Sequence, residues 1–75
     1  MPGLDRITRD TAVMGDKPCV RGMRVTVGMI VGLVASGHAF SEILAAYPYL
    51  EDEDIRQALA YAAWRVEIEL PLPAA

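Results

Sequence analysis

From Val27 to Ala35 the apolar run is interrupted only by Gly28 and Gly32, and Ile30, Leu33 and Val34 fall on one face of a 3.6-residue period. Thr26 before the run suits an N-cap and Gly37 after it suits the left-handed position beyond a C-cap, which predicts a first helix over about 27–36. Gly28, Gly32 and Ser36 recur every four residues, a small-residue stripe that predicts close approach of another backbone. A second, short helix over about 40–47 is predicted by Glu42-Ile43-Leu44-Ala45-Ala46, and Pro48 stops it because the residue before a proline resists the α region. A third helix is predicted over about 52–69, with Ile55, Leu59, Ala62, Ala63 and Val66 in period and Pro71 ending it. Tyr61, Trp64 and Ile68 make a second apolar stripe beside the first. The combined face is wider than three small helices can cover, so one stripe is expected to pack against another chain, with Tyr61, Trp64 and Ile68 assigned to a homodimer or partner contact.

Ahead of the helices, Val20 and Val25 flank Gly22 and predict a β-hairpin over about 18–26, turning over a glycine that tolerates positive φ. Ile7-Thr8-Arg9-Asp10 alternates apolar with polar residues and adds a short strand. The expected fold is therefore mainly α, a single domain over 1–70 with a three-helix, helix-turn-helix core and a short N-terminal β-hairpin. The segment 71–75 should be extended, either fraying or, with Leu70 and Leu72 spaced two apart, laying those leucines into a partner groove.

Seventy-five residues sit near the lower limit for independent folding, which makes a partner or a second copy a reasonable expectation. The net charge of −3 is unevenly spread. Up to Arg24 there are five basic residues and three acids; beyond it Arg56 and Arg65 face seven acids. Opposite signs on the two parts suit either two different partners or head-to-tail attraction between copies. One cysteine excludes an internal disulfide, the start lacks the pattern of a secretory signal, and no apolar run reaches the ~20 residues of a membrane span. A cytoplasmic location is expected.

The candidate binding residues cluster in Gly15-Asp16-Lys17-Pro18-Cys19-Val20-Arg21-Gly22-Met23-Arg24-Val25. A turn at Gly22 would hold Arg21 and Arg24 out as a basic prong, and arginine is suited to gripping a phosphate, a carboxylate or a guanine edge by two parallel hydrogen bonds. The competing reading is that both arginines pair with the protein's own acids. Arg6, Arg9 and Lys17 complete the positive set. Glu51-Asp52-Glu53-Asp54 at the start of the third helix is read as dipole stabilisation and capping; consecutive helical positions point about 100° apart and do not converge on one metal ion. Those carboxylates also argue against that helix entering a DNA groove by its N-terminus. Catalysis has no visible machinery: Cys19 reads as a small buried hydrophobe and His38 as a turn residue, with no phosphate loop, metal-ligand motif or cofactor site.

Taken with those residues, the chain resembles the bacterial family filed as domain of unknown function four hundred and thirty-three. The resemblance runs from about Leu4 to Trp64 and rests on Ile7-Thr8, Gly15, Lys17-Pro18-Cys19-Val20-Arg21-Gly22, Arg24-Val25, Ala35-Ser36-Gly37, Glu42-Ile43-Leu44, Tyr47-Pro48, Leu50, Asp54-Ile55 and Ala58-Leu59-Ala60-Tyr61-Ala62. It implies a homeodomain-like three-helix core with an amino-terminal β element, and an antitoxin encoded beside a toxin with a PIN-like nuclease domain. The chain departs from the family pattern at Met23 in the turn, at Ala39 where a serine would cap the second helix, and at Glu51 where a threonine would cap the third.

Two functional expectations follow. The first is an antitoxin of a type II toxin–antitoxin pair that neutralises a PIN-like ribonuclease, inserting Arg21, Arg24 or Lys17 among the toxin's carboxylates, and that regulates its own promoter DNA. The alternative is a stand-alone DNA-binding transcriptional regulator using Arg6, Arg9, Lys17, Arg21 and Arg24 against phosphates.

Overall fold

A computed structural model describes residues 3–9, 12, 15 and 17–69, with side chains to 66. The element order is β1 (Ile7–Thr8), β2 (Cys19–Val20), α1 (Val27–Ala35), α2 (Phe40–Ala46) and α3 (Asp52–Glu69), so each helix lies within one residue of its expected bounds. The extended tail over 71–75 lies outside the described residues.

β1 and β2 are antiparallel, with Ile7 opposite Val20 and Thr8 opposite Cys19. The expected hairpin is present in a reduced form: the Val20 amide donates to the Val25 carbonyl at 2.9 Å, and Cys19 bridges Thr26. The two-stranded sheet itself is thus made with the upstream strand, and residues 25–26 only flank it. The Met23 amide closes the turn on the Val20 carbonyl at 2.9 Å. Arg21 and Gly22 in its middle have φ of 48° and 71°, a left-handed pair that an arginine adopts only against a steric cost of about 1 kcal/mol.

α1 begins and ends as its flanking residues predict. The Met29 amide donates to the Thr26 hydroxyl at 3.0 Å, and at the other end the Gly37 and His38 amides donate to the Val34 and Leu33 carbonyls at 3.0 and 3.1 Å, with Gly37 at φ 96°. That pair of bonds satisfies the last carbonyls of the helix and needs glycine at its left-handed position. α2 lacks a side-chain cap at Ala39, but Glu42 reaches back to accept from the Ala39 amide at 2.7 Å, so half of a capping box survives the loss of the serine.

The core is built by α1 packing mainly on α3. Ile30, Ile43, Ile55, Val20 and Ala58 are fully enclosed, with Val25, Val27, Leu50 and Tyr61 around them. On α1 the deepest positions are therefore Val27 and Ile30, while Leu33 and Val34 are only half-buried. On α3 the buried stripe is Asp54, Ile55, Gln57, Ala58 and Tyr61, and Val66 is half exposed. Tyr61 thus belongs to this chain's own core, because positions 54, 58 and 61 turn to the same face as Ile55; it is not available to a second chain as expected. Trp64, 38 % exposed, stays at the surface with its ring 5.9 Å from that of Tyr61. The Ile68 side chain lies outside the described residues.

The glycine stripe of α1 also differs from expectation. Gly28 and Gly32 face solvent; a Cβ at Gly32 would meet nothing within 4 Å, and one at Gly28 only the cap hydroxyl of its own helix at 4.0 Å. Among the described residues no backbone of another element approaches them. Gly32→Ala is accordingly expected to stabilise the domain by about 0.5–1 kcal/mol, the difference in helix-interior propensity. Thermal unfolding measures it, and an unchanged or lowered midpoint would contradict the solvent-facing placement.

Candidate functional site

The basic residues of the N-terminal half divide into two groups. Arg21 folds back from the turn onto α3: its Nε donates to Asp54 Oδ1 at 3.1 Å and its Nη2 to Asp54 Oδ2 at 2.8 Å, a bidentate pair, while Nη2 also donates to the Tyr49 carbonyl at 2.8 Å. Arg6 approaches from the other side, with Nη1 donating to Asp54 Oδ1 at 3.1 Å and also to Glu51. The Asp54 carboxylate is wholly enclosed and accepts a fourth hydrogen bond, from the Glu51 amide at 2.8 Å, which caps α3. Of the two arginines for which intramolecular pairing was weighed above, Arg21 forms it and Arg24 does not among the described residues, while Arg6 joins the same carboxylate. The reason is local: Asp54 sits in the third position of α3, where its side chain reaches back toward the sheet, and burial there requires cations to compensate it.

Burial acts to raise the Asp54 carboxyl pKa, but the hydrogen bonds from Arg21, the Glu51 amide and Arg6 outweigh it and hold the group below its ordinary value of 3.8. The guanidinium pKa values are raised in turn, Arg21 by its bonds to Asp54 and Arg6 by those to Glu51 and Asp54. Gln57, one turn further along α3, ties the N-terminal segment to the same place. Its carbonyl accepts from the Arg6 amide at 2.9 Å and its amide donates to Asp5 at 3.0 Å, which lowers the Asp5 pKa. The remaining acids of the run have local roles: Asp52 pairs with Arg56 at 2.7 Å and Glu53 accepts from Gln57 at 3.2 Å.

Arg24 is different. It is exposed, and among the described residues it has neither hydrogen bond nor ion pair. It lines a surface cavity of about 310 Å³ together with Met23, Val25 and Tyr49. Lys17, also exposed and without a side-chain partner among the described residues, precedes β2, and its carbonyl accepts from the buried Cys19 thiol at 3.2 Å. Arg9 is exposed and has an interaction of its own. Gly22 holds the turn, its amide donating to the Thr8 hydroxyl at 2.8 Å. His38 lies beyond α1, 3.9 Å from Glu42, on a different element from Cys19. No group of three or more His, Cys, Asp or Glu among the described residues is placed to hold a metal ion, and no helix among them is long and apolar enough to cross a membrane.

Sequence reasoning did not single out Asp54 and Gln57 as organising residues. The available signal was their position: on an eighteen-residue helix, 54 and 57 share a face with Ile55, Ala58 and Tyr61. A polar residue on such a face needs a partner from elsewhere in the chain.

These elements define a small three-helix domain with a two-stranded antiparallel sheet, presenting one loop whose first arginine pairs with Asp54 and whose second has no partner among the described residues. The chain belongs to the family described as "Protein of unknown function (DUF433)", whose model matches residues 7–62. It is also similar to "Uncharacterized protein y4eO" of Sinorhizobium fredii, 41 % identical over 56 residues. That alignment covers 75 % of this chain and 25 % of the relative, so the chain spans about a quarter of the length of the curated protein it matches. No solved structure matches significantly.

Proposed function

We propose that this chain is the antitoxin of a type II toxin–antitoxin pair, a cytoplasmic protein-binding module that neutralises a PIN-like ribonuclease. The observation that carries the reading is Arg24: a guanidinium with no acceptor among the described residues, at the end of a loop whose other arginine anchors it to a buried carboxylate. A site of clustered carboxylates around a divalent metal offers an arginine the bidentate acceptor it lacks, and a guanidinium seated there would occupy the niche of the metal and block the substrate phosphate. Lys17 is the supporting cation. Trp64 and Val66, exposed on α3, supply apolar surface for self-association as a homodimer.

Binding to promoter DNA is the secondary element of this reading, and a stand-alone regulator is its rival. Arg6 and Arg21 are engaged by Asp54 and Glu51, which removes two of the five cations from a phosphate footprint, and α3 opens on exposed Asp52 and Glu53.

The test begins with the neighbouring reading frame: where it encodes a PIN-like nuclease, the double variant Lys17→Gln, Arg24→Gln is assayed against that enzyme. The folded domain should persist by circular dichroism while inhibition is lost. Unchanged inhibition removes both residues from the mechanism. Tight binding to upstream DNA that weakens steeply with salt, in the absence of any nuclease partner, supports the regulator instead.

A further inference from the structure

The cavity beside Arg24 has two walls from distant parts of the chain, each closed by a backbone hydrogen bond. One is the 21–24 loop. The other is the turn after α2, where the Leu50 amide donates to the Tyr47 carbonyl at 2.9 Å and the Tyr49 ring meets Tyr47 edge-on at 6.1 Å. Arg21 joins them, since the residue that binds Asp54 also donates to the Tyr49 carbonyl. Tyr49 is 52 % exposed, and its carbonyl is held by the Arg21 guanidinium. An exposed aromatic on a hydrogen-bonded backbone loses little conformational freedom on contact, which is the property of residues that dominate protein interfaces.

We propose that this open cavity docks an apolar side chain carried next to a carboxylate on a segment of a partner protein, which would lie against Tyr49 and Met23 over the floor at Val25 while Arg24 pairs with the acid. The assignment rests on the protein-binding reading above and adds what the partner must offer. Charge and size select this occupant. Among the described residues the lining supplies one cation without a partner, matching one carboxylate rather than a run of phosphates, and the exposed acids Asp52 and Glu53 open α3 soon after this turn. A volume of about 310 Å³ stands at the small end of ligand pockets, which run from about 300 to 1,000 Å³, and apart from Arg24 the side chains around it are Met23, Val25 and Tyr49, with no array of donors and acceptors to read a base edge. Arg21 acts here as a positioning residue.

The experiment is amide chemical-shift titration of the intact ¹⁵N-labelled chain with blocked peptides at millimolar concentration. Acetyl-Gly-Leu-Glu-Gly-amide should shift Arg24, Val25 and Tyr49. Replacing the peptide's glutamate by glutamine, or its leucine by glycine, should weaken binding about tenfold, as should Arg24→Gln or Tyr49→Ala in the protein. Absence of shifts, equal response to all three peptides, or stronger binding of a short oligothymidylate at these residues would each overturn the assignment. Peptide discrimination with nuclease inhibition untouched by Arg24→Gln would sink the nuclease reading alone; lost inhibition with no peptide discrimination would sink this one alone.

Discussion

Asp54→Ala is expected to remove about 3 kcal/mol of stability, the scale on which breaking a buried ion pair from one side destabilises a protein. A chain of this length holds roughly 4–11 kcal/mol in all, so the variant should be close to unfolding in conditions the parent tolerates. The cost falls toward the lower end of the range because the two arginines, with side chains 28 % and 38 % exposed, can turn to water once their acceptor is gone. Asp54→Asn keeps the volume and tests the charge. Since the Asp54 carboxyl titrates lower in the folded chain than in the unfolded one, its contribution is complete above the ordinary value of 3.8 and disappears as the pH falls through the depressed folded value. Urea midpoints measured from neutral pH downward should therefore fall more steeply across that acid window in the parent than in Asp54→Asn. Parallel curves would show that the carboxylate is not held in the way its four hydrogen bonds indicate.

Ile30→Ala should cost about 3 kcal/mol, because Ile30 is fully enclosed between α1 and the core and the side chains around it cannot close the void completely. Leu33→Ala, on the same helix but half-buried, should cost about 1 kcal/mol. Denaturant unfolding of the two variants tests the assignment of depth along α1; equal losses would mean that Leu33 is as deep as Ile30.

That contrast also marks how far the pattern of residues could be read. Helix ends were legible because each depends on neighbours in sequence: Thr26 and Gly37 bracket α1, and Pro48 closes α2. Depth was less legible. An apolar face on α1 or α3 is wider than what one small core covers, and only the packing of α1 on α3 decides that Ile30 and Tyr61 go inside while Leu33 and Val66 remain toward the surface. The same holds for the loop. Arg21 and Arg24 look equivalent three positions apart, and their separate fates are set by Asp54, which lies 33 positions from Arg21. Among the candidate residues, Lys17 and Arg24 keep the exposure their proposed role requires, whereas Arg6 and Arg21 are explained by structure within the chain.

Asp54 gathers donors from 48, 33 and 3 positions earlier. Since Arg21 and Asp54 lie 33 positions apart, the left-handed φ of Arg21 has nothing to compensate it until α3 is in place. A chain cut near Leu50 would therefore carry Arg24 and Tyr49 without the buried carboxylate that anchors Arg21 between them.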